Sequence, residues 1–197
     1  ECAKKYGTLI HVRSSFNETQ GTYVKSMNEL EIHKPVRGVT IDFNQAKVAI
    51  RQVPDRPGTA ATIFGALAEE SISVDMIIQS VQEDVTNDIA FTVSKDDLKK
   101  AVEITQKVAV QLQAKDVLFD ENVAKVSIVG VGMIDTPGIA ADMFRVLANA
   151  NINIQMISTS EIKISCVVEK EKGKLAVQVI HDRFVVGEEE LPTTICA

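Results

Sequence analysis

The sequence predicts an α+β protein built from two similar βαββαβ units, each with its helices on one face of an antiparallel sheet, the ferredoxin-like arrangement. The main observation is an internal repeat: Asp55–Ser80 aligns without a gap with Asp135–Ser160, and 12 of the 26 aligned residues are identical. Helical and strand periodicities also follow the same order in both copies. A length of 197 residues, with 45% apolar and 24% charged residues, suits one or two small globular domains.

The first copy opens with a predicted strand, because residues 47–51 alternate between apolar and more polar side chains. Pro57 then predicts the start of a helix with one apolar face. Two strands are expected at 72–81 and 89–93, where β-branched residues are frequent. Ser94–Asp97 is a capping-box pattern that predicts the start of a second helix, and a further strand is expected to complete the unit.

The second copy repeats this order with different loop lengths. Lys125–Ile128 matches Lys47–Ile50 at an offset of 78, so the first loop of the second copy is two residues longer. Lys170–Val177 matches Lys95–Val102 at an offset of 75, so the second copy lacks five residues in its hairpin. Insertions and deletions of this kind are tolerated in surface loops.

The repeat divides the chain into five predicted segments. Residues 1–24 lie outside the repeat and contain a strand near Leu9–Arg13, whereas residues 25–46 form a linker with a strand at Val39–Phe43. The two repeat domains are expected at 47–120 and 121–187, and the acidic tail at 188–197 is expected to be flexible.

Composition disfavours several classes of protein. The net charge of −6 argues against a nucleic-acid partner, and no apolar run approaches the ~20 residues of a membrane span. The three cysteines show no CxxC spacing, so neither a disulfide framework nor a zinc site is expected, and a reducing, cytoplasmic setting is favoured. The three histidines are far apart, so no metal site is expected. Because the chain starts without Met, we expect a fragment or a processed product.

The most informative segment for function is the predicted strand-to-helix loop at Asp55–Ala60. The first turn of a helix leaves backbone N–H groups that attract an anion, and Gly58 allows a ligand to approach closely. An α-carboxylate would fit there, while Asp55 and Asp75 could accept hydrogen bonds from an α-ammonium. Gln79 could contact a polar side chain of the same ligand.

A purely structural interpretation of this loop stays open. Asp-x-Pro-Gly is a common turn, and Asp55 could simply cap the helix. The second copy carries Gln155 in place of Asp75 and Thr136 in place of Arg56, so any ligand site should be asymmetric.

Other motifs favour structural roles. Ser127–Gly132 lacks the third glycine of a nucleotide-binding loop, which favours a strand end and a turn. Met76 and Met156 occupy equivalent strand positions and are expected in the core. An RNA-recognition domain shares the βαββαβ order but needs strand aromatics and a basic face. Here Phe91 is the only aromatic on the predicted strands of the two repeats, and the chain is acidic. Nothing resembles an activated nucleophile with its base, so no catalytic residue is predicted.

Four segments in this order resemble the regulatory half of bacterial aspartate kinase. His11–Phe16 is similar to the end of that family's kinase domain, and Val53–Gly58 resembles the opening of its first ACT domain. Val126–Met133 resembles the opening of the second ACT domain, and Ile157–Ser165 is similar to a regulatory motif of the family. The resemblance covers essentially the whole chain.

The resemblance implies a set of effector contacts that includes the loop already singled out. It also implies that the first ACT domain is inserted into the second, so that the strand at Val39–Phe43 pairs within the second, and that the two sets of contacts face one another with partner chains closing each site. The implied contacts are Asp55, Arg56, Pro57, Gly58, Thr59, Ala60, Ser73, Val74, Asp75 and Gln79 in the first domain, and Ile139, Ala140, Asn153, Ile154 and Ser160 in the second.

The resemblance further implies a function in feedback inhibition. Paired ACT domains would bind L-threonine, L-lysine or both, form a homodimer, and act on a kinase domain or catalytic subunit that phosphorylates aspartate. ATP and Mg²⁺ would belong to that kinase domain, of which residues 1–24 would be the C-terminal remnant, so this chain should need no cofactor and be inactive alone. A dimerisation module without its own ligand is the alternative. Residues before Met27 favour a designed fragment over a natural short subunit.

Overall fold

The computed structural model describes residues 2–24, 35–81, 86–131, 133 and 136–186, and they divide into two units at Pro35. Met27, Asp135 and the predicted tail at 188–197 lie outside the described residues. In the first unit, helix α1 (Cys2–Tyr6) precedes strands β1 (Ile10–Val12) and β2 (Thr22–Val24), which pair antiparallel. β1 confirms the strand that was predicted near Leu9–Arg13.

The second unit contains both repeats, and each repeat forms a four-stranded antiparallel sheet with two helices. The elements of the first repeat are β4 (Ala46–Pro54), α2 (Thr59–Glu69), β5 (Ile77–Val81), β6 (Thr86–Val93), α3 (Leu98–Leu112) and β7 (Asp116–Asp120). Its strand order is β5-β6-β4-β7.

The second repeat uses a strand from before the first one. This strand, β3 (Gly38–Asp42), pairs with β8 (Val123–Val129) from Gly38↔Val129 to Asp42↔Lys125. β3 therefore takes the place beside β8 that β7 takes beside β4. The other elements are α4 (Ile139–Asn149), β9 (Met156–Thr159), β10 (Lys163–Glu169) and α5 (Gly173–His181), and the strand order is β3-β8-β10-β9. The last described residues form a π-helical turn at Asp182–Val186.

Each repeat has its own hydrophobic core between sheet and helices. The periodic residues that predicted the first helix, such as Ile63 and Leu67, are buried in one core with residues of β4 and β6. Their counterparts Met143 and Leu147 are buried in a separate core with residues of the second sheet. The predicted helices are thus confirmed. The hairpin strand predicted to begin at Ile72 begins instead at Ile77, because Ile72 and Val74 pack into the core from an irregular segment.

The capping-box segment forms the turn that leads into α3. The backbone N–H of Asp97 donates to the Ser94 hydroxyl at 3.3 Å, and the helix begins one residue later at Leu98. Ser94 therefore caps the turn that leads into the helix, whereas no side chain in the described ranges caps the first residue of α3.

A third apolar cluster joins the two sheets. Met76 and Met156 are both buried there, with Val123 and Val167 as the other fully buried members. The prediction that these two methionines lie in the core is confirmed. Because they occupy equivalent positions, the cluster brings the segment before β5 close to its counterpart before β9.

Candidate ligand-binding site

The loop between β4 and α2 is braced by its own backbone and by one hydroxyl. The Thr59 hydroxyl donates to the Pro54 carbonyl oxygen at 2.9 Å, and Gly58 adopts a φ of 97°, in the region that favours glycine. Among the described residues, no side chain caps the start of α2. The alternative that Asp55 caps this helix is therefore wrong, and the helix start is open to an anionic group.

Asp55 is held by a residue that the sequence analysis missed. The Asn87 side-chain amide donates to Asp55 Oδ1 at 2.9 Å, and Asn87 is only 2% exposed. The amide oxygen of Asn87 is buried and has no hydrogen-bond partner in the structure. A buried acceptor without a donor is costly, so this oxygen would gain from a donor supplied by a ligand or water.

A bulge in β4 shapes the strand end that leads to this loop. The register between β4 and β6 shifts between Ile50 and Val53, and Gln52 takes a φ of 52°. The Gln52 backbone N–H donates to Asp88 Oδ1 at 2.8 Å. The bulge thus brings β4 into register with Asn87 and Thr86 at the start of β6.

Asp75, the second predicted ammonium acceptor, already binds an ammonium group. It lies just before β5, where its backbone N–H donates to Thr92 O at 3.1 Å, and its carboxylate accepts a hydrogen bond from Lys125 Nζ. The Lys125 side chain is 14% exposed and that of Asp75 is 36% exposed. Lys125 belongs to β8, so this ion pair links the two repeats.

A second carboxylate shares Lys125. Asp42 Oδ2 lies 3.7 Å from Lys125 Nζ, and the two residues are directly opposite in the β3–β8 ladder. Burial raises the pKa of Asp42, but hydrogen bonds from Gln45 and Asn44 together with the Lys125 charge outweigh it, so the pKa lies below its usual value.

The equivalent contact in the second repeat is neutral. Lys47 of β4 donates to Oε1 of Gln155, the residue that stands where the first repeat has Asp75. The lysine on the first strand of each repeat, Lys47 or Lys125, thus contacts the equivalent residue of the other repeat. This agrees with the prediction that polar groups differ between the copies.

The other predicted site residues fall into two groups. Arg56, Pro57, Ala60, Ser73, Gln79, Asn153 and Ser160 are exposed. Val74 and Ile154 are partly buried and pack on the cores, Ala140 is partly buried at the start of α4, and Ile139 is buried. Residues whose side chains lie in the core can offer a ligand mainly their backbone groups.

The two predicted sets of effector contacts are brought close together by the residues next to them. Met76 and Met156 meet in the inter-sheet cluster, each next to a predicted segment. Asp75 lies before β5, so the alternation along that strand does not relate its side chain to that of Gln79. The described residues therefore bring the segments together, while the contacts with a ligand stay predictions.

The described residues also contain an open cavity of about 810 Å³ that shares no residue with the predicted set. It is lined by Phe43, Asp120, Asn122, Gln155, Glu169, Lys170, Glu171 and Lys174. Three acidic and two basic side chains line it, so it presents no concentrated charge to a ligand.

Three further observations bear on the chemistry of the described part of the chain. It holds no group of three or more His, Cys, Asp or Glu residues placed to bind a metal ion. Burial raises the pKa of the Cys166 thiol to about 12, which keeps it protonated and unreactive. None of its helices combines the length and the hydrophobicity that crossing a membrane requires.

Comparison with known proteins identifies the repeats. The family profile described as ACT domain matches residues 48–108 and 126–184, which cover most of both repeats. The chain belongs to the ACT-domain family. Its ACT domains are of the kind found in the regulatory region of aspartate kinases, as the following relatives indicate.

Aspartate kinase Ask_LysC of Stutzerimonas stutzeri is 44% identical over 185 residues, which are 93% of this chain and 45% of that protein. The chain thus spans about half the length of the curated relatives it matches. The ligand-free regulatory subunit of aspartate kinase from Thermus thermophilus is 41% identical with a TM-score of 0.73, and the match covers 77% of this chain and 99% of that one. Aspartokinase III of E. coli, solved in complex with lysine and aspartate, is 26% identical with a TM-score of 0.72 over 93% of this chain and 40% of that one.

Proposed function

We propose that this chain is the part of an aspartate kinase that senses an amino-acid end product and thereby controls the kinase. The observation that carries the proposal is the uncapped start of α2 next to a carboxylate, Asp55, that a buried amide holds in place. A helix start attracts a carboxylate and fixed carboxylates attract an ammonium, so together they complement the two charges of a free amino acid.

In the proposed complex, the effector's α-carboxylate lies at the start of α2, close to the backbone N–H of Ala60, since the Thr59 N–H already donates to the Arg56 carbonyl oxygen at 3.3 Å. Its α-ammonium is accepted by Asp55 or Asp75, and Gln79 contacts its side chain. The residues Ile139, Ala140, Asn153, Ile154 and Ser160 of the second ACT domain are proposed to form the facing set, with a second copy of the chain closing each site. Threonine, lysine or both are proposed as effectors, and the structure of the E. coli relative with lysine supports that chemistry.

The proposed partner is the kinase domain or catalytic subunit that phosphorylates the β-carboxylate of aspartate with ATP and Mg²⁺. Binding would stabilise a homodimer of ACT domains, and residues 25–46 would carry the change towards the kinase. Such coupling between sites is typically worth about 1–3 kcal/mol, which is a roughly 5–150-fold change in affinity. The result would be feedback inhibition of aspartate-family amino-acid biosynthesis in the cytoplasm.

A dimerisation module without its own ligand is the second candidate. It is favoured by β7, an edge strand of the first sheet on which Leu118 and Phe119 are 49% and 56% exposed. Exposed apolar groups on an unpaired edge are typical of strands that associate with another chain.

Calorimetric titration of the chain with threonine, with lysine, and with each in the presence of the other separates the two candidates. The sensor predicts saturable binding of at least one of them, whereas a folded dimer that binds neither would contradict it. L-Threoninamide and L-lysinamide, which lack the carboxylate, should bind far more weakly than the parent amino acids because they offer nothing to the helix start.

The variant Asp75→Ala tests the ammonium acceptor. Hydrogen bonds to charged groups are worth about 1.5–3 kcal/mol, so affinity should fall more than about tenfold. Gln155→Ala, at the equivalent position of the second repeat, is the matched control and should change affinity much less. Unchanged affinity in Asp75→Ala would sink the role of this carboxylate.

A further inference from the structure

We infer that Lys125 is an internal competitor of the effector, and therefore a residue that sets its affinity. This inference rests on the proposed function, because it assigns Asp75 to the effector's ammonium. In the structure the Lys125 ammonium occupies that carboxylate. A ligand ammonium can bind Asp75 fully only when Lys125 gives it up.

The chemistry of the two ammonium groups is the same. A lysine side chain ends in a compact cation with three N–H donors, as does the α-ammonium of an amino acid. Lys125 is largely shielded from water at 14% exposure, so its contact with Asp75 is less screened than an ordinary surface ion pair. The competitor is thus both chemically matched to the ligand and held close to the acceptor.

Displacement is feasible because Lys125 has a second partner. Removing the carboxylate partner of a largely buried lysine would leave an uncompensated charge, which is costly. Asp42 lies 3.7 Å from Lys125 Nζ and directly opposite it in the β3–β8 ladder. Lys125 can therefore move from Asp75 to Asp42 and stay paired throughout.

The competition is confined to one repeat. The equivalent lysine, Lys47, contacts the neutral amide of Gln155, and within the described part of the chain it forms no ion pair with a carboxylate of the other repeat. Effector binding in the first repeat would then break the ion pair between Lys125 and Asp75, which links the repeats. It would leave Lys125 paired with Asp42 within the second sheet. Ligand occupancy would thereby be coupled to the contact between the two repeats.

The test is calorimetry with threonine and lysine on the whole chain and two matched variants. Lys125→Met removes the competing cation and keeps most of the apolar stem. Effector affinity should then rise about fivefold, which corresponds to the upper end of the free energies measured for partly exposed ion pairs. Lys47→Met is the control, and its affinity should stay within about twofold of the parent chain. A folded Lys125→Met variant with equal or weaker binding would overturn the inference, since a lysine that helps to bind the ligand would give a loss.

A second variant predicts the opposite sign. Asp42→Asn removes the alternative partner but keeps a side-chain oxygen for the Asn44 N–H, so Lys125 should stay on Asp75 and affinity should fall about threefold. This variant decides the matter if Lys125→Met does not fold, and an unchanged or higher affinity would overturn the inference. If neither the parent chain nor Lys125→Met binds either amino acid, the proposed function itself fails. Binding by the parent chain with no effect of Lys125→Met refutes only the competition.

Discussion

The two repeats make the same inter-repeat contact with different chemistry. Lys125 contacts Asp75 and Lys47 contacts Gln155, so the lysine is present in both copies but its partner is a carboxylate in one and an amide in the other. The geometry of the contact needs only a polar group at that position. The two copies therefore share a fold, but only the first places a carboxylate at this position.

The cores of the repeats differ in a similar way. Val48 pairs with Phe91 in the first sheet and its counterpart Val126 pairs with Cys166 in the second, and all four are fully buried. A phenyl ring and a thiol thus occupy equivalent positions. The second repeat must fill the remaining volume from elsewhere, which makes its core less dependent on this one residue.

The largest expected effect follows from that contrast. Phe91→Ala should lower the free energy of unfolding by about 3–5 kcal/mol, because it removes a buried ring that also packs edge-to-face on Phe64 at 5.5 Å. Cys166→Ala at the equivalent position should cost about 1 kcal/mol. Urea unfolding of both variants measures the difference, and equal losses would contradict the expectation that the second core depends less on this position.

A polar pair distinguishes the second sheet next. Ser127 and Ser165 are buried opposite each other with their hydroxyl oxygens 2.8 Å apart, where the first sheet pairs Ala49 with Ala90. Either single change to alanine should cost about 1–2 kcal/mol by leaving one hydroxyl without its partner.

The double variant Ser127→Ala/Ser165→Ala restores the pair that the first sheet already uses. Its stability should return to within about 0.5 kcal/mol of the parent chain. Thermal and urea unfolding of the four chains in this cycle measure the coupling. Additive losses would mean that the hydroxyl pair does not act as a unit.

The loops before α2 and α4 should respond equally. Gly58 and Gly138 share a φ of 97°, and a Cβ built on either one would contact nothing within 4 Å. Each change to alanine should therefore cost only the conformational strain, about 1–2 kcal/mol. Matched unfolding curves of Gly58→Ala and Gly138→Ala check this, and a larger loss in one would point to a constraint that the other loop lacks.

The smallest effect is expected from a substitution that makes the two repeats more alike. Gln155→Asp should give Lys47 a carboxylate partner and stabilise the chain by up to about 0.5 kcal/mol in low salt. The gain should shrink in high salt, because screening weakens partly exposed ion pairs. A stability difference that does not change with salt would argue against an ion pair at this position.

The sequence predicted the repeat, the order of elements and the buried faces of the helices, because these depend on local periodicity. It also singled out Asp55 and Asp75. It did not indicate their partners, because Asn87 and Lys125 lie 32 and 50 positions away along the chain. No local pattern marks a buried asparagine or a strand lysine as the partner of a distant carboxylate.

The start of β5 shows a second limit. Ile72 and Val74 are β-branched and apolar, which predicted a strand from Ile72, but their burial results from packing into the first core before the ladder begins at Ile77. Composition alone cannot separate a core-packed connection from a strand, since both place apolar side chains inside.

The pairing of β3 with β8 affects how the chain can fold while the ribosome is synthesising it. β3 leaves the ribosome before the first repeat, but its partner β8 is made only after that repeat is finished. Gly38 must therefore wait for Val129, while all strands of the first sheet are already available to pair. Pairings between distant strands form slowly, and unpaired edges invite aggregation. We therefore expect the first repeat to fold early. Once its sheet has formed, β3 would need a shorter search to find its partner.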